Sequence, residues 1–451
     1  MNSILLLALT ASLVSCEQDA VTDVVTVNYT LDEPAVVTVD FQTKSAEGVW
    51  TSIGAENFTT LAGDVNRYVK PPADGEPGLW LRWAAANDWP DHAFDASNFR
   101  AVLTAWPTND PPPYMAVDLG RKQATTREHT PIRYYVSSNA VPGGVLGLRY
   151  RRSYLLMRKI DCAGKVFRRG RNYIESDGAQ DAGRRNSSLA KLTKNFYIGV
   201  FQFSSGYFKT AFNASPLVTD SKVPFTDKFL QPAMQSSSIS YNYLRGNPAS
   251  GYNWPTNGDA VDGTSYLGML RALTDNKVLF DLPLEAQYEF ACQGGYGTML
   301  GTGKRYNTNQ KNTDVVYETC WLSENKDDGS DPEVPYPKVS ENGMRRPHRV
   351  GLKVPNGYGL YDMQGNGRCR CRDWWIDDPG TMTSDLVDGV HVDPIGPESN
   401  ASGNHVGRGA SWDVSVSSSD WMTCGRFPQS DNGDYNYTTF RVVCPAIAPE
   451  L

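Results

Sequence analysis

Leu282-Pro283-Leu284-Glu285-Ala286-Gln287-Tyr288-Glu289-Phe290-Ala291-Cys292 reads as a helix over Leu284 to Cys292. Pro283 suits the first turn, where a missing N–H is no loss. Ala286, Phe290 and Ala291 fall on one inward face. Upstream, Leu267, Leu270 and Leu273 share helical spacing and predict a second helix over Ser265 to Leu273. Leu155-Leu156-Met157 and Phe196-Tyr197-Ile198-Gly199-Val200 read as strands. After Gly294 the chain is long, polar and Gly-rich, with little periodicity. Residues 154–451 therefore read as α+β, with short helices and strands among much irregular chain.

The preceding residues have a different period. Val25, Val27 and Tyr29 alternate with polar neighbours, and so do Val37, Val39 and Phe41. Leu79-Trp80-Leu81-Arg82-Trp83, Phe99-Arg100-Ala101-Val102-Leu103 and Tyr114 to Leu119 continue the pattern. Alternation at short spacing, punctuated by Pro, Gly and Asp, predicts a small all-β sandwich over residues 21–120. Pro111-Pro112-Pro113 cannot sit inside a central strand and marks an edge or a connection. Residues 121–153 are polar and Gly-bearing and read as a linker.

The chain has 451 residues, with 43 Lys+Arg against 50 Asp+Glu and a formal net charge of −7. The acid balance argues against a nucleic-acid partner. At 40 % hydrophobic and 21 % charged residues the composition is globular, not disordered. Ile4 to Val14 is too short an apolar run to span a bilayer and fits the core of a signal peptide covering residues 1–16. Leu13-Val14-Ser15-Cys16 resembles the lipobox of bacterial lipoproteins, although Met1-Asn2-Ser3 adds no Lys or Arg. The resemblance implies a lipid on Cys16 and a place in the cell envelope or on the surface. Ordinary cleavage without lipid would leave a periplasmic or secreted chain. Seven cysteines remain after Cys16, an odd number, and Cys369-Arg370-Cys371 lacks the spacing of a zinc ribbon.

Six motifs in order carry a resemblance. Phe196 to Gln202 looks like "FxIGxxEVT", and Leu282 to Cys292 looks like "RLPTEAEWEYAC". Pro355-Asn356-Gly357-Tyr358-Gly359-Leu360-Tyr361-Asp362-Met363 looks like "PNxxGLYDM", and Gly365-Asn366 begins a "GNVWEW" box. Arg408-Gly409-Ala410-Ser411-Trp412 looks like "RGGSW", and Phe440-Arg441 closes like "GFR". Together they resemble the formylglycine-generating enzyme, or sulfatase-modifying factor, family. That resemblance implies a mostly irregular domain of C-type-lectin-like fold.

Active members resemble one another in a copper-binding cysteine pair just after "GGSW", and soft thiolates suit cuprous ion. Here those two positions hold Val414 and Ser419, so no catalytic residue is assigned. Branches that use iron carry a His-bearing domain, and His92, His129, His348, His391 and His405 have no ligand spacing. The resemblance also implies calcium around Asp362, Gly365 and Gly367, with a second site at Asn342. Cys369 replaces the glutamate of "WEW", and a thiol is no substitute ligand for calcium. No cofactor is expected, and calcium is the one ion the resemblance admits. The family further implies a disulfide between Cys292 and Cys444; two buried thiols are the alternative.

Between Ser411 and Phe440 the chain is rich in Ser, Asp, Asn, Tyr and Trp, a mixture that binding surfaces use. Ser417, Ser419, Trp421, Tyr435 and Tyr437 are the candidate ligand-binding residues, for a protein or glycan ligand. A polar loop without a ligand is the other reading. The expected function is thus an exported, non-catalytic family member presenting a ligand surface. The alternative is a formylglycine-generating oxidoreductase that acts on sulfatase cysteines through an atypical metal site at Cys369 and Cys371.

Overall fold

Alternating burial builds the N-terminal third of the chain. In β2 (Val24–Leu31), Val25, Val27, Tyr29 and Leu31 are buried while the residues between them reach solvent. A computed structural model gives the fold and describes residues 9–94, 97–120, 126–127, 130–170, 187–213, 230, 232–233, 239–307, 312–325, 347–378, 382–431 and 437–451. It separates into two units, residues 1–150 with 446–451, and 151–445.

In the first unit, β1 (Ala11–Gln18), β2, β7 (Leu79–Ala84) and β5 (Leu61–Gly63) form one antiparallel sheet. β3 (Ala35–Lys44) pairs with β4 (Trp50–Ser52), β6 (Arg67–Val69) and β8 (Phe99–Pro107) in a second. Trp83 is fully buried between them and stacks on Phe41 at 4.8 Å. Leu13 to Cys16 lies in β1, and Cys16 pairs with Val27.

Two readings change here. β9 (Tyr114–Asp118), expected in the sandwich, pairs instead with β10 (Ile132–Tyr135). The stretch read as a linker contains β10 and buries Ile132, Tyr134, Tyr135, Val141 and Tyr150. Its polar residues outnumber these few, so the composition masks the buried positions. Pro111 to Pro113 fall between β8 and β9, as a connection.

In the second unit both predicted helices form, as Tyr266–Ala272 and Glu285–Gln293. Ser265 caps the first: its side chain accepts from Gly268 N at 3.1 Å. β14 (Phe196–Gly199) lies between β11 (Tyr154–Ile160) and β21 (Val443–Pro445). A second sheet has the order β12 (Val166–Arg169), β13 (Ser188–Lys191), β17 (Val390–Ile395), β16 (Thr383–Val387). A third has the order β19 (Arg426–Ser430), β18 (Asn404–Arg408), β15 (Arg368–Trp374), β20 (Thr438–Phe440). Short sheets, few helices and long irregular connections match the α+β expectation. Among the described residues, no helix is long and apolar enough to cross a membrane.

Candidate functional site

The helix Glu285–Gln293 carries two buried carboxylates into the centre of the second unit. Arg426 of β19 meets Glu285 with both arms of its guanidinium, at 2.6 and 3.1 Å. Arg408 of β18 and Arg169 of β12 stand 3.3 Å from the same carboxylate, and Arg408 also bonds Glu289. Burial alone would raise the Glu285 carboxyl; Arg426, Arg408 and Arg169 outweigh it and hold it at about 2. This network fixes the facing ends of β18 and β19, between which residues 409–425 run.

That loop packs inward. Gly409 has φ +90°, and a Cβ there would lie 2.8 Å from the Met363 carbonyl. Val414, 6 % exposed, joins an apolar cluster with Leu300, Tyr306, Val316, Trp421 and Met422. Trp421 is fully buried, edge-on to Tyr306 at 5.3 Å, and its Nε1 donates to Val416 O at 2.9 Å. It is therefore core, which removes it from the candidate ligand-binding residues. Its polar neighbours Ser419 and Asp420 hid this, because the loop has no regular period to mark its inward positions. Val414, Val416, Trp421 and Met422 were the available signal.

Of the other candidate residues, Ser417 is exposed and Ser419 half-buried. Glu324 holds their turn: it accepts from Ser415 Oγ at 2.5 Å and from Val416 N at 3.0 Å. Tyr437 is half-buried and lies 4.6 Å from the Arg368 guanidinium, whose other neighbour is Phe427 at 4.4 Å. Arg368 Nε also donates to Ser411 Oγ at 3.2 Å. Tyr435 and Asn342 lie outside the described residues. A separate cleft of about 310 Å³ is lined by Phe167, Phe290, Tyr296 and Tyr358, with Lys165, Arg168 and Thr423. Pattern reading missed it, because four distant segments build it.

The thiols are buried. Cys369 and Cys371 lie two apart on β15, both fully buried, and burial pushes the first thiol up and the second far up. Cys292 and Cys444 are free thiols, not a disulfide. Cys292 faces the Met363 carbonyl at 3.7 Å, whereas Cys444 sits in β21 opposite Tyr197. The Asp362 carboxylate accepts from Gly351 N at 2.8 Å, and burial raises it to about 6. His405 is buried between the rings of Tyr241 and Trp374, at 3.6 and 3.7 Å, and bonds Asp431. Among the described residues, no three His, Cys, Asp or Glu gather as metal ligands.

Residues 166–445 match the sulfatase-modifying factor enzyme 1-like domain. The formylglycine-generating enzyme of Mus musculus is 25 % identical over 262 residues, 54 % of this chain and 64 % of the relative. That of Bos taurus is 25 % identical over 198 residues, 40 % of this chain and 49 % of the relative. The chain thus spans about half to two thirds of the length of these relatives. Treponema denticola variable protein 1 superposes with a TM-score of 0.42 at 18 % identity, covering 65 % of this chain and 95 % of that one.

Proposed function

This chain belongs to the sulfatase-modifying factor enzyme 1-like domain family, and from that premise we propose that it is a non-catalytic member, exported and presenting a ligand surface. One observation carries the proposal. Where active relatives are expected to hold copper with two thiolates, Val414 is packed into an apolar cluster and Ser419 offers only a hydroxyl. Cuprous ion selects thiolates, so neither position replaces them. The thiols of Cys369 and Cys371 do not rescue the enzyme reading, because burial opposes the thiolate form that binds metal. The ligand surface comprises the exposed edge of the 415–420 turn and Tyr437, and it is suited to a protein or a glycan.

The test is a cuprous titration of the reduced protein against a chromogenic chelator, paired with oxygen uptake on a sulfatase-motif peptide. Neither copper retention nor oxygen uptake is expected. One tightly held equivalent of copper together with oxygen uptake would reverse the proposal.

The address belongs to the same proposal. In a bacterial host the chain is expected to lose about 15 residues, Ala11 to Ser15 of β1 among them, as signal processing requires. Labelled fatty acid should enter wild type but not Cys16→Ser. Retention of the full-length chain in the cytoplasm would remove both export and the membrane as a partner.

A further inference from the structure

Three backbone carbonyls converge on one side-chain nitrogen. Gln202 Nε2 stands 3.0 Å from Asp362 O, 3.2 Å from Gly365 O and 2.8 Å from Gly367 O. Cys369 Sγ is a fourth neighbour at 3.9 Å. The loop is bent to make this cage: Asp362, Gly365 and Asn366 all have positive φ, at 53°, 91° and 63°. Gly365 passes so close to Trp321 that a Cβ would lie 2.7 Å from its backbone N and O. Asn366 pins the bend, bonding the His348 backbone twice, at 2.9 and 3.1 Å.

An amide nitrogen has two hydrogens, so three carbonyl oxygens are more than it can satisfy one by one. Gln202 is fully buried, and its Oε1 has no hydrogen-bond partner among the described residues. Reversing the amide would turn Oε1 against the three oxygens, so repulsion keeps Nε2 inward. Such a ring of oxygens is what a hard cation prefers, and calcium takes six to eight of them with carboxylate charge. Here the cage has three neutral carbonyls and the soft Cys369 sulfur, a ligand that a hard cation does not favour, and its centre is already filled. The Asp362 carboxylate turns to Gly351 instead. These residues do not fit calcium.

We propose that the Gln202 amide is a built-in stand-in for a cation, holding the 362–369 loop in shape without a metal ion. Gln202→Glu and Gln202→Met test this in the full chain, because both nearly keep the shape while one inverts the polarity and the other removes it. Melting temperature is read in EDTA and in calcium. Wild type should melt alike in both. Gln202→Met should melt lower in both, having lost the donor. Gln202→Glu should melt low in EDTA and rise by about 5 °C or more with calcium, which can bridge the new carboxylate and the three carbonyls.

The proposal fails if Gln202→Met matches wild type, or if calcium does not lift Gln202→Glu. It fails equally if calcium raises wild type as much as Gln202→Glu. Should the variants not fold, terbium luminescence on wild type decides, since Trp321 adjoins the loop through its bond to Asn366 N at 3.0 Å. A silent wild type supports the stand-in, and a terbium signal that calcium displaces overturns it.

Discussion

Trp421→Ala is expected to cost about 3–5 kcal/mol of stability, the range for deleting a large buried aromatic. The indole is fully buried, meets Tyr306 edge-on and closes the 416–421 turn through Val416 O. Its loss leaves a cavity in the cluster that also contains Val414 and Met299. Ser417→Ala, at the exposed tip of the same loop, should stay within about ±0.5 kcal/mol. Denaturant unfolding of both variants gives the comparison. A loss below about 1 kcal/mol for Trp421→Ala would return this residue to the surface and to the candidate ligand-binding residues. Substitutions that test the proposed ligand surface therefore belong at Ser417, Ser419 and Tyr437, away from the buried cluster.

Glu285→Gln should cost a similar amount, about 3–5 kcal/mol, because removing one partner of a buried ion pair leaves its cations uncompensated. Arg426, Arg408 and Arg169 all face that carboxylate. The effect has a pH signature. The carboxyl is held at about 2 in the fold against an ordinary 4.5. Its contribution is then complete above about pH 4.5 and is lost as pH falls toward about 2. A depression of that size corresponds to about 3 kcal/mol. Unfolding curves between pH 2 and 7 should show a shallower acid limb for Glu285→Gln than for wild type. Equal acid limbs would mean that other carboxylates, such as Asp281 with Arg245, Arg271 and Arg372, dominate acid unfolding.

Local periodicity was sufficient for much of the fold. The period of two in 24–44 and 79–103 and the helical spacing in 265–292 depend only on which face each residue presents, and the sheets and helices formed there. The string of six motifs carried the family in the same way, since order along the chain needs no folding to be read. The absence of cysteine at Val414 and Ser419 was equally plain in the sequence.

What a loop side chain does was not legible there, because irregular backbone has no period that separates inside from outside. Ser417 and Trp421 looked alike as parts of one polar-aromatic stretch, and only packing put one in solvent and the other in the core. For Cys292 and Cys444 the resemblance left a disulfide or two buried thiols, and only the fold decided for free thiols, one facing the Met363 carbonyl and the other in β21. Gln202 and Gly367 are 165 positions apart, and no local pattern relates them. The sequence by itself determined the family, the two layers of the sandwich and the absence of cysteine between Trp412 and Cys424. The tertiary structure alone decided which polar groups meet, because a hydrogen bond or an ion pair depends on ångströms in space and not on spacing along the chain.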